Sequence, residues 1–336
     1  MSVADTTRAP LPHRARAWLF GVVVPAAVIA AGWGLVLRWV PRLPEQVALH
    51  WGVGGVDRVG PVRELFITTG VISGTSFVVL AVLSLTVGRT ALTRRMVLAL
   101  ATGTAVYFTG ILVAQAAAQL GLDDPHRAAV PDLGLALATA AAVLAGFAAG
   151  LLAGADPERP TTAPVPDGAS RATLGAHERA VWAHRVSAGH RVQRWAWALG
   201  ALYVALGIAL GVAAESWFVF VIFVAVLPPV LTMFVWDVRV DASGLTAKGA
   251  LGWPRQHVPS AEIERAEVTE VRPFRQFGGW GLRISLDGTV GVVVRAGEAI
   301  AVHRTGGRRF VVTVDDAATG AALLNTFAER SRAGAR

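Results

Sequence analysis

The sequence predicts an α-helical membrane bundle of six transmembrane helices joined to a small β-rich cytoplasmic domain closed by a C-terminal helix. Three observations predict it. Six apolar runs of roughly 20 residues, the length that crosses about 30 Å of hydrocarbon, lie along the chain before residue 237. Arginines gather in alternate loops between those runs. Beyond them, the hydrophobic period changes from helical to alternating. Composition agrees: 54% hydrophobic residues in a 336-residue chain, with a mean hydropathy of +0.51, exceeds what an ordinary soluble domain carries.

A basic N-terminus, 1–16, with Arg8, Arg14 and Arg16, runs into the first span at 17–40. That run is too long for a signal-peptide core and no small-x-small cleavage site follows it, so a retained first span is expected. Spans at 66–87, 96–118 and 133–154 complete a four-helix membrane region, 17–154, with a loop at 43–60. A cytoplasmic linker, 155–192, leads to a two-helix membrane region, 193–236, with spans at 195–213 and 216–236. Pro25 predicts a kink in the first span, and Pro228 with Pro229 one in the last. Trp33, Trp39, Trp195, Trp197, Trp217 and Trp236 stand mostly near span ends, where interfacial anchors belong.

Arginine placement gives the orientation. Arg89, Arg94 and Arg95 lie between the second and third spans, and Arg159, Arg171, Arg179, Arg185, Arg191 and Arg194 lie in the linker. The opposite loops are balanced (41–65), acidic (Asp123, Asp124, Asp132) or hold only Glu215. The positive-inside rule puts both termini and the linker in the cytoplasm of a plasma-membrane protein.

Few polar groups lie within the spans. Arg38 stands near a helix end, where it can snorkel. Gln115 and Gln119, one helical turn apart late in the third span, are the candidate intramembrane polar pair, suited to interhelical hydrogen bonding or to lining a cleft. In the linker, Pro157, Pro160, Pro164 and Pro166 predict a flexible segment over 155–172. Residues 173–192 suit either an amphipathic helix bearing Trp182 and Val186 or a strand packed on the following domain. His177, His184 and His190 do not share a helix face and lack a carboxylate pair, so no metal is expected.

The tail over 237–330 alternates. DVRVDASGLTAKG holds a turn at Ser243 and Gly244, and strands are expected at 255–258, 263–272, 281–286, 290–297, 299–304 and 309–314. Asp287-Gly288 and Gly306-Gly307 mark turns. Asp315 and Asp316 stand as helix caps before an apolar face of Leu323, Leu324 and Phe327. Glu262, Glu264, Glu267 and Glu270 are expected on a solvated face. About seven strands closed by a helix, with FGGWGLR at 277–283 and VRAGEAIAV at 294–302, resemble a bacterial pleckstrin-homology-like domain.

The most distinctive local pattern is LPEQVALHWGVGGVDRVG, 43–60. Pro44 leads an extended segment, His50 and Trp51 follow, and a glycine turn with Gly55 is closed by Asp57. This pattern after a first span resembles the membrane domain of SdpI-type immunity proteins over about residues 20–90. The resemblance implies toxin immunity and sequestration of a transcriptional repressor at the membrane. The barrel-like tail departs from that family, and no second SdpI-type half stands in the later spans. Chemically, His50 and Asp57 can share a proton or meet a cation. Equally, Asp57 can cap the turn while His50 packs near Trp51.

No cysteine is present, which excludes disulfides, thiolate nucleophiles and cysteine metal sites. Lys248 is the only lysine, so arginine carries the net charge of +8, and it clusters beside apolar runs as topology signals do. No basic helix with interleaved aromatics suggests nucleic acid. GxSxG, HExxH and GxxxxGK[ST] are missing, and Asp57 stands where GxGxxG needs its last glycine. The expectation is a non-enzymatic sensing, regulatory, immunity-like or scaffold protein without a cofactor. Its expected partners are the lipid bilayer, a cytoplasmic protein met through 237–330, and an extracytoplasmic ligand or peptide met at 43–60. The alternative is a transporter or export accessory subunit for a small or amphipathic substrate.

Overall fold

A computed structural model of the chain describes residues 11–52, 54–175, 178–213, 218, 223 and 234–333. The chain divides into two compact units, Met1–Pro157 with Ile208–Val221, and Glu158–Gly207 with Ile222–Arg336.

Five helices are long and apolar enough to cross a membrane. They are α1 (Arg14–Arg42), α2 (Val62–Thr86), α3 (Ala91–Ala117), α4 (Asp132–Leu152) and α5 (His190–Ala213), the last apolar over Val192–Ala213. The chain is therefore a multi-pass membrane protein. A helix satisfies its backbone internally, so its apolar side chains can face lipid, as the exposed Leu37, Val71, Leu133, Leu144 and Leu202 are placed to do.

Small residues let α3 and α4 pack closely. A Cβ added to Gly146 would lie 2.8 Å from the carbonyl oxygen of Ala99, and one on Gly103 would lie 3.2 Å from that of Ala142. In α1, Leu19–Val23 forms a π-turn immediately before Pro25. Proline has no N–H and crowds the preceding turn, and a wider turn accommodates both. Where a kink is expected at Pro25, the structure shows a local change of helix type just before it. Between α1 and α2 stand β1 (Gln46–Gly52) and β2 (Gly55–Pro61).

The sixth expected span, 216–236, falls mostly outside the described residues, as do Trp217, Pro228 and Pro229. Its last two residues are strand, not helix. Val235 and Trp236 open β4 (Val235–Asp241), and Trp236 is a fully buried core residue, not an interfacial anchor. The alternation VWDVRVD explains this, because it sets Trp236, Val238 and Val240 on one inward face.

In the second unit, β3 (Trp182–Ser187), β4, β5 (Gly244–Gly249) and β6 (Arg255–Pro259) form an antiparallel sheet in that order. A five-stranded sheet has the order β7 (Ile263–Val271), β10 (Gly297–Arg304), β11 (Arg308–Thr313), β9 (Val290–Val293), β8 (Gly281–Ile284). Only its β9–β11 pair is parallel. Trp236, Leu245, Ile300 and Phe310 form the core together with Leu324 and Phe327 of the C-terminal helix. A short helix, α6 (Pro273–Phe277), precedes β8, and α7 (Ala317–Ala333) lays its predicted apolar face on that core. Asp316 stands just before α7, accepting from Thr319 Oγ1 at 2.7 Å and from Trp182 Nε1 at 3.3 Å.

The linker differs from the flexible segment its prolines predict. Val165 is buried in the second unit's core, and Arg171 donates to the carbonyls of Val165, Pro166, Asp167 and Ala169 while pairing with Glu329 at 2.8 Å. Proline composition gives stiffness and lost donors, but a buried valine and a shared arginine hold the strap in place. Residues 182–187 take the strand form, paired with β4. The β-rich unit therefore includes residues well before 237, and among the described residues eight strands follow that boundary region where about seven were expected.

Candidate functional site

The 43–60 segment is an antiparallel hairpin whose connection passes through Gly55 at φ 104°, a region that favours glycine. Its register breaks twice. Ala48 faces Val59 and His50 faces Arg58, leaving Leu49 extra; Trp51 faces Val56, leaving Asp57 extra. Such bulges re-aim side chains. Here they accompany a close pair, His50 Nδ1 and Asp57 Oδ1 at 2.7 Å, with side chains 66% and 52% exposed. A Cβ on Gly52 would lie 2.5 Å from Asp57 Oδ2, so glycine there leaves room for the carboxylate. The pair can share a proton and offers a ligand an imidazole beside a carboxylate. Two groups alone make no metal centre, and among the described residues no cluster of three or more His, Asp or Glu side chains could hold one.

The hairpin is fastened from beneath. Val47 and Ala48 are buried, and Val47 packs with Val36, Leu65, Leu112 and Ala116, flanked by Trp33 and Trp39. Gln119, itself fully buried, accepts from the Ala48 N–H at 2.6 Å and donates to the Ala48 carbonyl at 3.1 Å. Trp51 Nε1 donates to the carbonyl of Ala128 at 3.1 Å, and Arg58 pairs with Glu64. Pro44 is buried at the hairpin's entry. Of the five motif residues, Pro44 and Trp51 thus secure the hairpin, Gly55 turns it, and His50 and Asp57 remain presented to the surroundings.

Gln115 and Gln119 do not form a shared polar lining. Helix α3 ends at Ala117, so Gln119 sits in the turn beyond it, with Nε2 also 3.0 Å from the Gln115 carbonyl. The side chain serves a strand's backbone rather than a neighbouring helix.

At the other end of α3, sequence reading missed a second polar anchor. Arg94 is 3% exposed and donates to the carbonyls of Gly88 (2.9 Å), Ala153 (2.9 Å), Gly154 (2.8 Å) and Ala155 (3.2 Å), with Asp156 at 3.4 Å. It ties down the chain just beyond α4, taking the carbonyls of the C-cap residue Ala153 and of the two residues after it, which have no helical partners. As one arginine among several it signals topology, and nothing in its spacing points to residue 153.

In the second unit Glu262 is buried, not on the solvated face expected of it. It accepts from Arg304 (2.6 Å), Arg308 (3.0 Å) and the Arg159 N–H (3.0 Å). Burial pushes its carboxyl up, but the hydrogen bonds and the two guanidinium charges outweigh this and hold it below the ordinary range. Glu267 accepts from His303 at 2.7 Å, which with nearby arginines also depresses its carboxyl. Of the three linker histidines, His184 lies against Trp182 with ring centroids 4.5 Å apart; His177 lies outside the described residues. No family model, curated protein or solved structure matches this chain.

Proposed function

We propose that this is a non-enzymatic plasma-membrane protein of a sensing, regulatory or immunity-like kind. The hairpin is its extracytoplasmic recognition element and the β-rich unit its cytoplasmic interaction module. The observation that carries this reading is the exposed His50–Asp57 pair on a hairpin whose backbone is clamped by Gln119. A rigid scaffold under exposed polar groups is how recognition sites are built. The arginine asymmetry supports the orientation, with both termini in the cytoplasm. The same reading takes the apolar run before β4 as a sixth crossing. It takes the β-rich unit as a pleckstrin-homology-like barrel, which two sheets and a closing helix support. The SdpI-type kinship rests on the hairpin motif. For the transport alternative, the engagement of Gln119 with Ala48 removes the polar pair that favoured it.

The test places a photo-crosslinking residue at the exposed Val268 of the β-rich unit in intact cells. The reading expects a crosslinked protein whose yield changes in both His50→Ala and Asp57→Asn at unchanged abundance. Identical crosslinks in all three proteins would sink it, and substrate flux abolished by Gln115→Ala would favour transport instead.

A further inference from the structure

The four-stranded sheet of the second unit has a distinct end. At that end Ser187 faces Val235, the Ala188 N–H donates to the Phe234 carbonyl, and the Ala250 N–H donates to the Val235 carbonyl. The chain leaves β3 at Ser187 and enters α5 at His190, whose apolar stretch begins at Val192. The turn between β5 and β6 lies at this same end, two strands from β3, roughly 10 Å away at the usual strand spacing. Its tip carries Leu251, 75% exposed, and Trp253, 57% exposed. These are large apolar side chains on a turn otherwise made of alanine, glycine and proline.

Just behind the tip, one register row crosses the whole sheet: Arg185 faces Asp237, Asp237 faces Lys248, and Lys248 faces Arg255. Lys248 and Arg255 are exposed and directly opposed. Like charges in that relation destabilise a hairpin unless something anionic lies against them. Asp237 is 3.7 Å from Arg185, so the row keeps an excess of positive charge.

We propose that the β5–β6 tip is a membrane anchor: Leu251 and Trp253 enter the interfacial zone of the same bilayer face that α5 enters, and Lys248 and Arg255 meet its anionic headgroups. Three observations point to lipid as the occupant. The tip lies at the same end of the sheet as the point where the chain passes into a membrane-crossing helix. Trp195 and Trp197, exposed on the first turns of α5, mark an interfacial belt at that level. The charge behind the tip has the sign that anionic lipids attract. The geometry suffices, because one leaflet's polar zone is about 5–8 Å deep. Two residues of extended chain beyond the strand end reach about 7 Å.

The chain lacks cysteine, so single spin labels can be placed cleanly. The full chain, reconstituted in nanodiscs of phosphatidylcholine and phosphatidylglycerol, is labelled at Leu251→Cys, at Trp253→Cys and, as control, at Ala242→Cys in the exposed turn at the opposite end of the sheet. Collision with oxygen and with a water-soluble nickel chelate is then measured. The expected result is an oxygen-to-nickel ratio raised several-fold at 251 and 253 over 242. That excess should fall when Lys248→Gln and Arg255→Gln are added or phosphatidylglycerol is omitted. Equal nickel access at 251 and 242 overturns the proposal. So does protection from both reagents, which would mean that protein, such as a second copy, covers the tip.

Discussion

Gln119 Oε1 and Nε2 hold both backbone groups of Ala48, at 2.6 and 3.1 Å, so one side-chain amide continues the edge of β1 as a strand would. Asn325 does the same for Ala266, accepting from its N–H at 2.7 Å and donating to its carbonyl at 2.9 Å. Both amides are fully buried. A carboxamide carries a donor and an acceptor in the spacing of a peptide group, and a buried strand edge needs both.

Removing the first clamp leaves two buried backbone groups without partners, at about 1–3 kcal/mol each. Gln119→Ala should therefore lower the melting temperature of the detergent-solubilised chain and its abundance in membranes. Gln115→Ala should change little, since only its main-chain carbonyl is engaged. A melt of Gln119→Ala indistinguishable from wild type would show that water or a neighbour replaces the clamp.

Arg94 acts as a fork, and a lysine cannot reproduce a fork. Arg94→Lys should lose most of the four carbonyl contacts and destabilise the chain by about 2–4 kcal/mol. The adjacent Arg95→Lys, exposed on the helix surface, should be silent. Thermal melts of the two variants side by side decide the matter, and equal melts would deny Arg94 its structural role.

Glu262 gives a pH signature. Its ordinary carboxyl value is 4.5 and its folded value is lowered, because the arginine contacts outweigh burial. A depressed carboxyl stabilises the fold above its unfolded pKa and loses that contribution as pH falls through the folded pKa. Glu262→Gln should cost about 3 kcal/mol near neutrality. The gap to wild type should then close as the pH drops below about 4.5. Melts of the two proteins from neutral to acid pH follow this, and a gap independent of pH would mean packing, not charge, is lost.

The β-rich unit can be freed from its membrane segments. Because Ala188 and Phe234 are hydrogen-bonded neighbours on paired strands, residues 189–233 can be replaced by Asn-Gly, the turn suited to a two-residue hairpin. The protein 158–188–Asn-Gly–234–333 should be soluble, rich in β signal by circular dichroism, and melt cooperatively. A protein starting at Asp237 lacks Val165, Trp182 and Val186 from the core and should aggregate or melt much lower. The reverse ranking would place the unit's boundary where composition alone suggested.

The glycine turn at the hairpin can be probed through a single methyl group. Gly52→Ala would put a Cβ against Asp57 Oδ2 and so should part Asp57 from His50, moving the NMR shifts of the His50 ring without loss of abundance. Gly55→Val instead strains the backbone at a positive φ and should lower abundance. Unaltered His50 ring shifts in Gly52→Ala would mean the carboxylate finds another route to the ring.

The sequence by itself determined the membrane class, the positions of five apolar helices and most strands of the tail. Period and length are local properties, and a run of apolar residues or a strict alternation carries them without help from distant chain. It also singled out Pro44, His50, Trp51, Gly55 and Asp57. Tertiary structure decided the rest. Gln119 left the helix to serve Ala48, Trp236 passed from an expected span end to a strand core, the proline-rich linker was held by Val165 and Arg171, and Glu262 was buried among arginines. Each outcome joins residues far apart in the chain, 42 positions for Glu262 with Arg304 and 71 for Gln119 with Ala48, or depends on which of two sheet faces is covered. Whether a polar side chain is solvated, paired or clamped is set by what the fold brings against it, and no local spacing encodes that.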